Sequence, residues 1–386
     1  MKTVYSEKKY CSGCGACSYS CKLNAIQMKP DEEGFLYPII NPELCVQCGK
    51  CRKVCPFIKE NTKNGIPKVY AAKNASDAER KSSSSGGIFT LLSDAVLESG
   101  GVVYGALFDS KMQVIHKCAS SKEERNSLRG SKYIQSNLKH IFLQVQQDAL
   151  EGKKILFTGT PCQIAGLKSF LGKEYSNLYL CDIVCHGVSS PQIFKDYIFY
   201  IEKKYQSKIE EISFRDKEQG WTHQKWKIKL QSGQILLDNT DLRIYKNLYY
   251  GHVIQRPSCH VCPYADIHRQ GDITLGDFWG IENSLPDFKD ELGINVVLVN
   301  THKGTELFEN ESIKERLIYV KSDVKSCLQP QLQYPTEKSK KRERFWQDYQ
   351  KSGFYFVAKK YGTLNMIGIF KQKIKRVLSK MKHSWK

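Results

Sequence analysis

The chain has 386 residues, 41% hydrophobic and 11% aromatic, enough for two or three domains and a sizeable core. Its formal charge is +19, yet residues 337–386 hold fifteen Lys and Arg against three Asp and Glu, so most of the excess sits at the C-terminal end and gives the rest no nucleic-acid character. No apolar run approaches the roughly 18 residues of a membrane span. Met1–Tyr10 lacks an apolar signal core, so fifteen cysteines imply a reducing compartment, the cytoplasm, and metal chemistry rather than disulfides.

The first element is a doubled cysteine motif. Cys11-x2-Cys14-x2-Cys17-x3-Cys21 is followed by Cys45-x2-Cys48-x2-Cys51-x3-Cys55-Pro56. A cysteine at every third residue curls around three corners of a cubane, and the fourth lies too far along to cap it comfortably. In two-cluster ferredoxins that fourth cysteine serves the other cluster. Cys11, Cys14, Cys17 and Cys55 are therefore assigned to one [4Fe-4S] cluster, and Cys21, Cys45, Cys48 and Cys51 to a second. Gly13, Gly15 and Gly49 suit the tight bends this requires. Structural zinc would use separated cysteine pairs around one ion. Lys22 stands where the first motif would carry its proline.

Residues 1–58 thus form an α+β ferredoxin module, with short strands predicted at Ala25–Met28 and Phe35–Ile40 around a turn. Residues 59–67 are polar and read as a linker. From 68 to 335 strands and helices alternate, which predicts an α/β domain with a mostly parallel sheet. Strands are expected at Val69–Lys73, Gly101–Phe108, Val114–Cys118, Lys154–Phe157, Leu178–Val184, Ile273–Leu275, Val296–Val299 and near Leu317–Val320. Helices are expected from Ile88, over Leu138–Leu150, to Leu171, over Pro191–Tyr205 and near Thr305–Asn310. Ile209–Leu237 alternates like an antiparallel insertion. Residues 336–386 form a basic helical tail. Its stripe Ile367, Phe370, Ile374, Val377, Leu378, Met381 and Trp385 fits either peripheral contact with an anionic membrane or packing on the body.

Several stretches between these elements can bind ligands. Ser84, Ser85, Gly86 and Gly87 precede a helix whose unpaired amides would favour an anion; a flexible linker has the same composition. Thr158-Gly159-Thr160-Pro161-Cys162-Gln163 joins a buried strand to a helix, with Thr160 as N-cap and Pro161 at the first helical position. Ligands favour that end of such sheets. Arg129, Gly130, Ser131, Lys132, Tyr133, Gln135 and Ser136 combine charge, hydroxyls and a ring in one loop. No G-x-G-x-x-G follows a strand, so a nicotinamide fold has no support. Cys259-His260-Val261-Cys262 is a metal pair by spacing. Cys162 and Cys185 end neighbouring strands, so these four thiols can meet at one sheet end and hold a third [4Fe-4S] cluster, with zinc as the competitor. Cys118, Cys181 and Cys327 read as inert buried thiols.

Taken together, Ser84–Gly87, Arg129–Tyr133, Gly159–Gln163, Cys185-His186-Gly187-Val188, Arg256-Pro257-Ser258-Cys259 and Asp272-Ile273-Thr274-Leu275-Gly276-Asp277-Phe278-Trp279-Gly280 occur in an order that resembles the beta subunit of coenzyme F-420-reducing hydrogenase/dehydrogenase, behind a ferredoxin module. The resemblance covers about residues 1–300. It implies FAD, iron–sulfur clusters and electron transfer between a one-electron chain and a two-electron substrate, and it adds Gly276 and Asp277 to the flavin contacts. Relatives include enzymes that reduce chlorophyll-type pigments with reduced ferredoxin, so coenzyme F-420 itself is not required.

The resulting expectation is a cytoplasmic FAD-dependent iron–sulfur oxidoreductase. Its partners would be a ferredoxin or other redox protein and a small-molecule redox substrate, with no nucleic acid. Lys132, named as the catalytic residue, and Arg129 would stabilise a reduced, anionic flavin or its phosphates. The alternative is a non-enzymatic electron relay serving a separate catalytic partner.

Overall fold

The computed structural model describes residues 3–58 and 64–363. The cluster module contains one antiparallel hairpin, β1 (Ile26–Pro30) and β2 (Leu36–Ile40). The body carries β3 (Lys68–Asn74), β4 (Val102–Phe108), β5 (Val114–Ala119), β6 (Ile155–Gly159), β7 (Leu178–Ile183), β8 (Ile209–Asp216), β9 (Lys225–Leu230), β10 (Ile235–Leu237), β11 (Ile273–Asp277), β12 (Asn295–Val299) and β13 (Leu317–Ser322).

Eight of these make the main sheet, in the order β13-β3-β12-β11-β7-β6-β4-β5. Its centre, β11-β7-β6-β4, is parallel, whereas β5, β12 and β13 run antiparallel to their neighbours. Central parallel strands are covered on both faces and so read as unbroken apolar runs. Successive side chains nevertheless alternate between two cores. Val103, Leu156 and Leu275 meet the helix Ile88–Leu97 on one face. Tyr104, Phe157 and Leu180 meet the helices Ile141–Leu150 and Pro161–Leu171 on the other.

The expected antiparallel insertion is a separate three-stranded sheet, β10-β9-β8. It shares a core with the helices Pro191–Tyr205, Thr240–Tyr250 and Arg342–Val357. The helix Thr240–Tyr250 was not anticipated, and the helix Arg342–Val357 falls within the basic helical tail expected over residues 336–386. Phe345, Trp346, Phe354 and Val357 are buried in that core, so the start of the basic C-terminal stretch belongs to the packed body. The amphipathic stripe 367–385, residues 59–63 of the expected linker, and the membrane contact expected of the tail lie outside the described residues. Among those described, no helix is long and apolar enough to cross a membrane.

The module is sunk into the body. Cys14 and Ala16 belong to the same core as β4, β6 and the helix Pro161–Leu171. The Tyr19 ring packs on Phe142 and Phe170. On the other side, Arg342 forms an ion pair with Glu33 in the β1–β2 turn and donates to the carbonyl of Gln255.

Candidate redox sites and cofactor cavity

Cys11, Cys14, Cys17 and Cys55 line one pocket together, the set expected from the crossed ligand pattern. Gly13, Gly15 and Gly49 all hold positive φ. At Gly13 a Cβ would stand 2.9 Å from the carbonyl oxygen of Leu36 and 3.0 Å from Arg256 Nη1, so both backbone angle and space demand glycine. Burial drives the Cys14 thiol up to about 12, and neighbouring Cys11, Cys55 and Cys162 add to the shift. Such a pocket resists free thiolates and suits a cationic group that would compensate them.

The other four module cysteines are placed differently. Cys21, Cys45 and Cys51 pack around a small core of Val4, Ile26 and Ile40, while Cys48 is exposed. Leu44 and Val46 beside them are also exposed. The first site therefore faces inward and the second outward.

A second four-cysteine pocket lies in the body. Cys162, Cys185, Cys259 and Cys262 line it, with Arg256, Arg269, Thr160 and Ser258. β6 and β7 are parallel, so the residues that follow them emerge at one sheet end. Cys162 sits in the first turn of the helix Pro161–Leu171, capped by Thr160, whose N–H donates to Gln163 Oε1 at 2.9 Å. Cys185 follows β7. Cys259 lies in the short 3-10 turn Pro257–Val261, and Cys262 directly follows it. Two amides already point at sulfur: Gly187 N–H donates to Cys185 Sγ at 3.4 Å and Val188 N–H to Cys259 Sγ at 3.5 Å. Burial pushes Cys259 up to about 11 and Cys262 up to about 12. Among the described residues no three or more His, Cys, Asp or Glu side chains are arranged to hold a single metal ion; here the thiols border a pocket. Cys181 and Cys327 are buried apart from it and Cys118 is half-buried beside Tyr104.

Beyond this pocket opens a cavity of about 670 Å³. Every expected flavin contact lines it except Gly86 and Gln135. Gly86 is instead pressed against β3 and Asn295, where a Cβ would come within 2.7 Å of the Ala72 carbonyl oxygen. Gln135 turns to the module and donates to the Ser12 carbonyl at 3.0 Å. The Ser84 hydroxyl accepts from Ser131 N–H at 2.8 Å and so ties two of the expected loops together.

The nominated cations are both engaged by protein. Lys132 Nζ donates to the carbonyls of Ser127 and Leu128, each at 3.2 Å, and of Arg129 at 2.6 Å. Desolvation pulls its pKa down to about 7, while the three carbonyls supply an acceptor for each N–H. Arg129 pairs with Glu79 at 3.0 Å. Both Asp277 oxygens are also taken, by Arg215 Nη1 at 2.7 Å and Trp221 Nε1 at 2.8 Å.

Other lining residues escaped sequence reasoning. His116 Nε2–H donates to the Thr158 carbonyl at 3.1 Å, and burial lowers its pKa to about 4, leaving a neutral ring with Nδ1 unpartnered. Arg215 comes from the end of β8, and Tyr249 and Tyr250 from the helix Thr240–Tyr250. Their common signal was a polar or aromatic residue at the end of an insertion element, too weak to separate from ordinary packing.

Comparison with known proteins adds the following. Residues 152–324 match the domain described as the C terminus of the beta subunit of coenzyme F-420 hydrogenase/dehydrogenase. Residues 10–58 and 37–85 each match a 4Fe-4S dicluster domain. The chain is 26% identical over 346 residues to an uncharacterized protein of Methanocaldococcus jannaschii, covering 80% of this chain and 88% of that one. It is 22% identical over 317 residues to the F component of the F(420)H(2) dehydrogenase of Methanosarcina mazei, a subunit of that enzyme, covering 78% and 81%. Its module is 35% identical over 53 residues to a ferredoxin-like protein in the nif region of Rhizobium leguminosarum bv. trifolii, covering 12% of this chain and 75% of that one. A chain in a solved F-420-reducing [NiFe] hydrogenase complex from Methanosarcina barkeri is 17% identical, with a TM-score of 0.45, covering 78% of this chain and 94% of that chain.

Proposed function

We propose, from the match of residues 152–324 to the C terminus of the coenzyme F-420 hydrogenase/dehydrogenase beta subunit and of the N-terminal residues to 4Fe-4S dicluster domains, that this chain is an FAD-dependent iron–sulfur oxidoreductase linking a one-electron carrier to a two-electron reactant. At the coarser level it is an iron–sulfur electron-transfer protein. One observation carries the finer reading: three compartments adjoin in series. The Cys11 pocket and the Cys162 pocket share Ser12 and Phe57. The Cys162 pocket and the cavity share Thr160, Cys185, Gly187, Val188 and Gln331. When bound, cubane clusters supply one-electron steps, and a flavin converts between one and two electrons.

The residues have distinct tasks in this reading. The four-cysteine sets hold the clusters, the third set being Cys162, Cys185, Cys259 and Cys262. Ser84, Ser131 and the Thr158–Gln163 turn offer hydroxyls and amides to the cofactor, and the cavity volume lies within the usual range for such ligands. Lys132 braces the loop that closes one side. Trp279 lies against Trp221, with ring centroids 4.7 Å apart, and gives the cavity a flat apolar wall.

The second reading is an electron relay within a larger complex, favoured by the Methanosarcina mazei relative, which is itself one component of a dehydrogenase. Anaerobic purification followed by denaturation should release a yellow, fluorescent flavin. A screen of electron acceptors with the reduced protein then separates the readings. Turnover of a small molecule supports the enzyme, and a flavin that reduces without turnover supports the relay. Cluster-loaded protein with no affinity for FAD would contradict both as stated here.

A further inference from the structure

Among the described residues, the deeply buried arginines have carboxylate partners, with one exception. Arg125 pairs with Asp94, Arg269 with Asp182, Arg342 with Glu33, Arg80 with Asp290 and Arg215 with Asp277. Arg256 is 1% exposed and makes no ion pair with a carboxylate. A buried, permanently charged guanidinium without a counter-charge is strongly disfavoured. Its neutral partners ease the loss of water but not the charge. Nε donates to the Cys11 carbonyl at 2.8 Å, Nη1 to Gln135 Oε1 at 2.9 Å and Nη2 to the Leu36 carbonyl at 3.0 Å. The Tyr37 ring lies 4.2 Å and the Phe35 ring 5.3 Å from the guanidinium carbon.

The remaining contact is to sulfur. Nη2 approaches Cys11 Sγ at 3.8 Å, and the same side chain lines the pocket of Cys162, Cys185, Cys259 and Cys262. Arg256 therefore stands where two four-cysteine sites face each other, 245 residues from Cys11 in sequence.

We propose that Arg256 is the built-in counter-charge of the iron–sulfur group held by Cys11, Cys14, Cys17 and Cys55, and that it raises the reduction potential of that group. This rests on the proposed cluster ligands. The physics is direct: a cubane gains one negative charge on reduction, and a fixed cation beside a ligand sulfur stabilises the reduced form in a low-dielectric setting. A clamp between module and body is the competing explanation for the same contacts.

Anaerobic redox titration followed by electron paramagnetic resonance separates the two. In wild-type protein the cluster signals are assigned first by which of them disappears in Cys14→Ser and which in Cys48→Ser. If no cubane signal appears in wild-type protein, the cluster assignment itself fails. With the clusters present, Arg256→Gln should move the midpoint of the Cys14-dependent signal negative and leave the Cys48-dependent signal in place. Arg342→Gln, which removes a different brace on the same module, should leave both midpoints unchanged. If Arg256→Gln does not retain iron, Arg256→Lys replaces it. That variant keeps the charge but loses the fork, so its stability should fall while its midpoint stays at the wild-type value. An unchanged midpoint in iron-loaded Arg256→Gln would overturn the proposal, as would equal shifts in Arg256→Gln and Arg342→Gln, or a midpoint in Arg256→Lys that falls well below wild type.

Discussion

His116 is the clearest case of a single side chain whose environment sets its behaviour. The Thr158 carbonyl accepts from its Nε2–H, and burial holds the folded pKa near 4 against an ordinary value of 6.5. The unfolded chain thus takes up a proton between pH 6.5 and 4 that the folded chain refuses. Stability contributed by this site is full above pH 6.5, falls as the pH drops, and has lost about 3 kcal/mol by pH 4. His116→Gln should flatten that acid limb by one proton in urea titrations run across this range; an unaltered slope would assign the limb to other groups. Lys132 invites a different test. Because its three N–H bonds hold the carbonyls of residues 127–129, Lys132→Ala should loosen the loop and weaken FAD binding about tenfold, ~1.4 kcal/mol. Equilibrium dialysis against FAD reads this directly, and unchanged affinity would leave Lys132 without a role in retention.

At the scale of elements, the helix Pro161–Leu171 links two sites. Cys162 and Gly166 are four residues apart and share a helical face. Cys162 joins the body pocket, while a Cβ on Gly166 would stand 2.7 Å from Cys14 Cβ and 2.8 Å from its Sγ. Gly166→Ala should therefore displace Cys14 and lower iron at the inward site, read as loss of the Cys14-dependent resonance with the outward one kept. Retention of both signals would show that the module can shift to make room. Much of this element layer was legible beforehand. Buried runs such as Ile155-Leu156-Phe157, together with the Thr160–Pro161 helix start, marked the strand ends where Cys162 and Cys185 emerge. The contacts of Gly166 and Arg256 were not legible, because each depends on a docking of distant segments that leaves no local pattern. The helix Arg342–Val357 was expected as part of a helical tail, but its place in the core was not, because its basic composition resembled a solvated stretch, although Phe345, Trp346 and Val357 are buried.

For the whole molecule, the module is fixed by contacts from both ends of the chain. Arg342 reaches Glu33 across 309 residues of sequence, and the pair is nearly enclosed. Removing one partner leaves the other charge buried, so Arg342→Ala should destabilise the protein by about 3 kcal/mol and make the β1–β2 turn around Glu33 more sensitive to protease. Full stability and an unchanged cleavage pattern would remove the clamp from the account. The same packing sets where the C-terminal end can be trimmed. A chain ending at Thr363 keeps this helix, whereas one ending at Tyr334 would remove part of the core. At this scale the central claim is three cluster sites, two of which adjoin in series with a cofactor cavity. Iron counted per chain in anaerobically purified protein tests it most directly. The account predicts about 12 iron atoms, falling to about 8 in Cys259→Ser with the two module signals intact. About 8 iron atoms in both proteins, with one zinc lost from the variant, would contradict it.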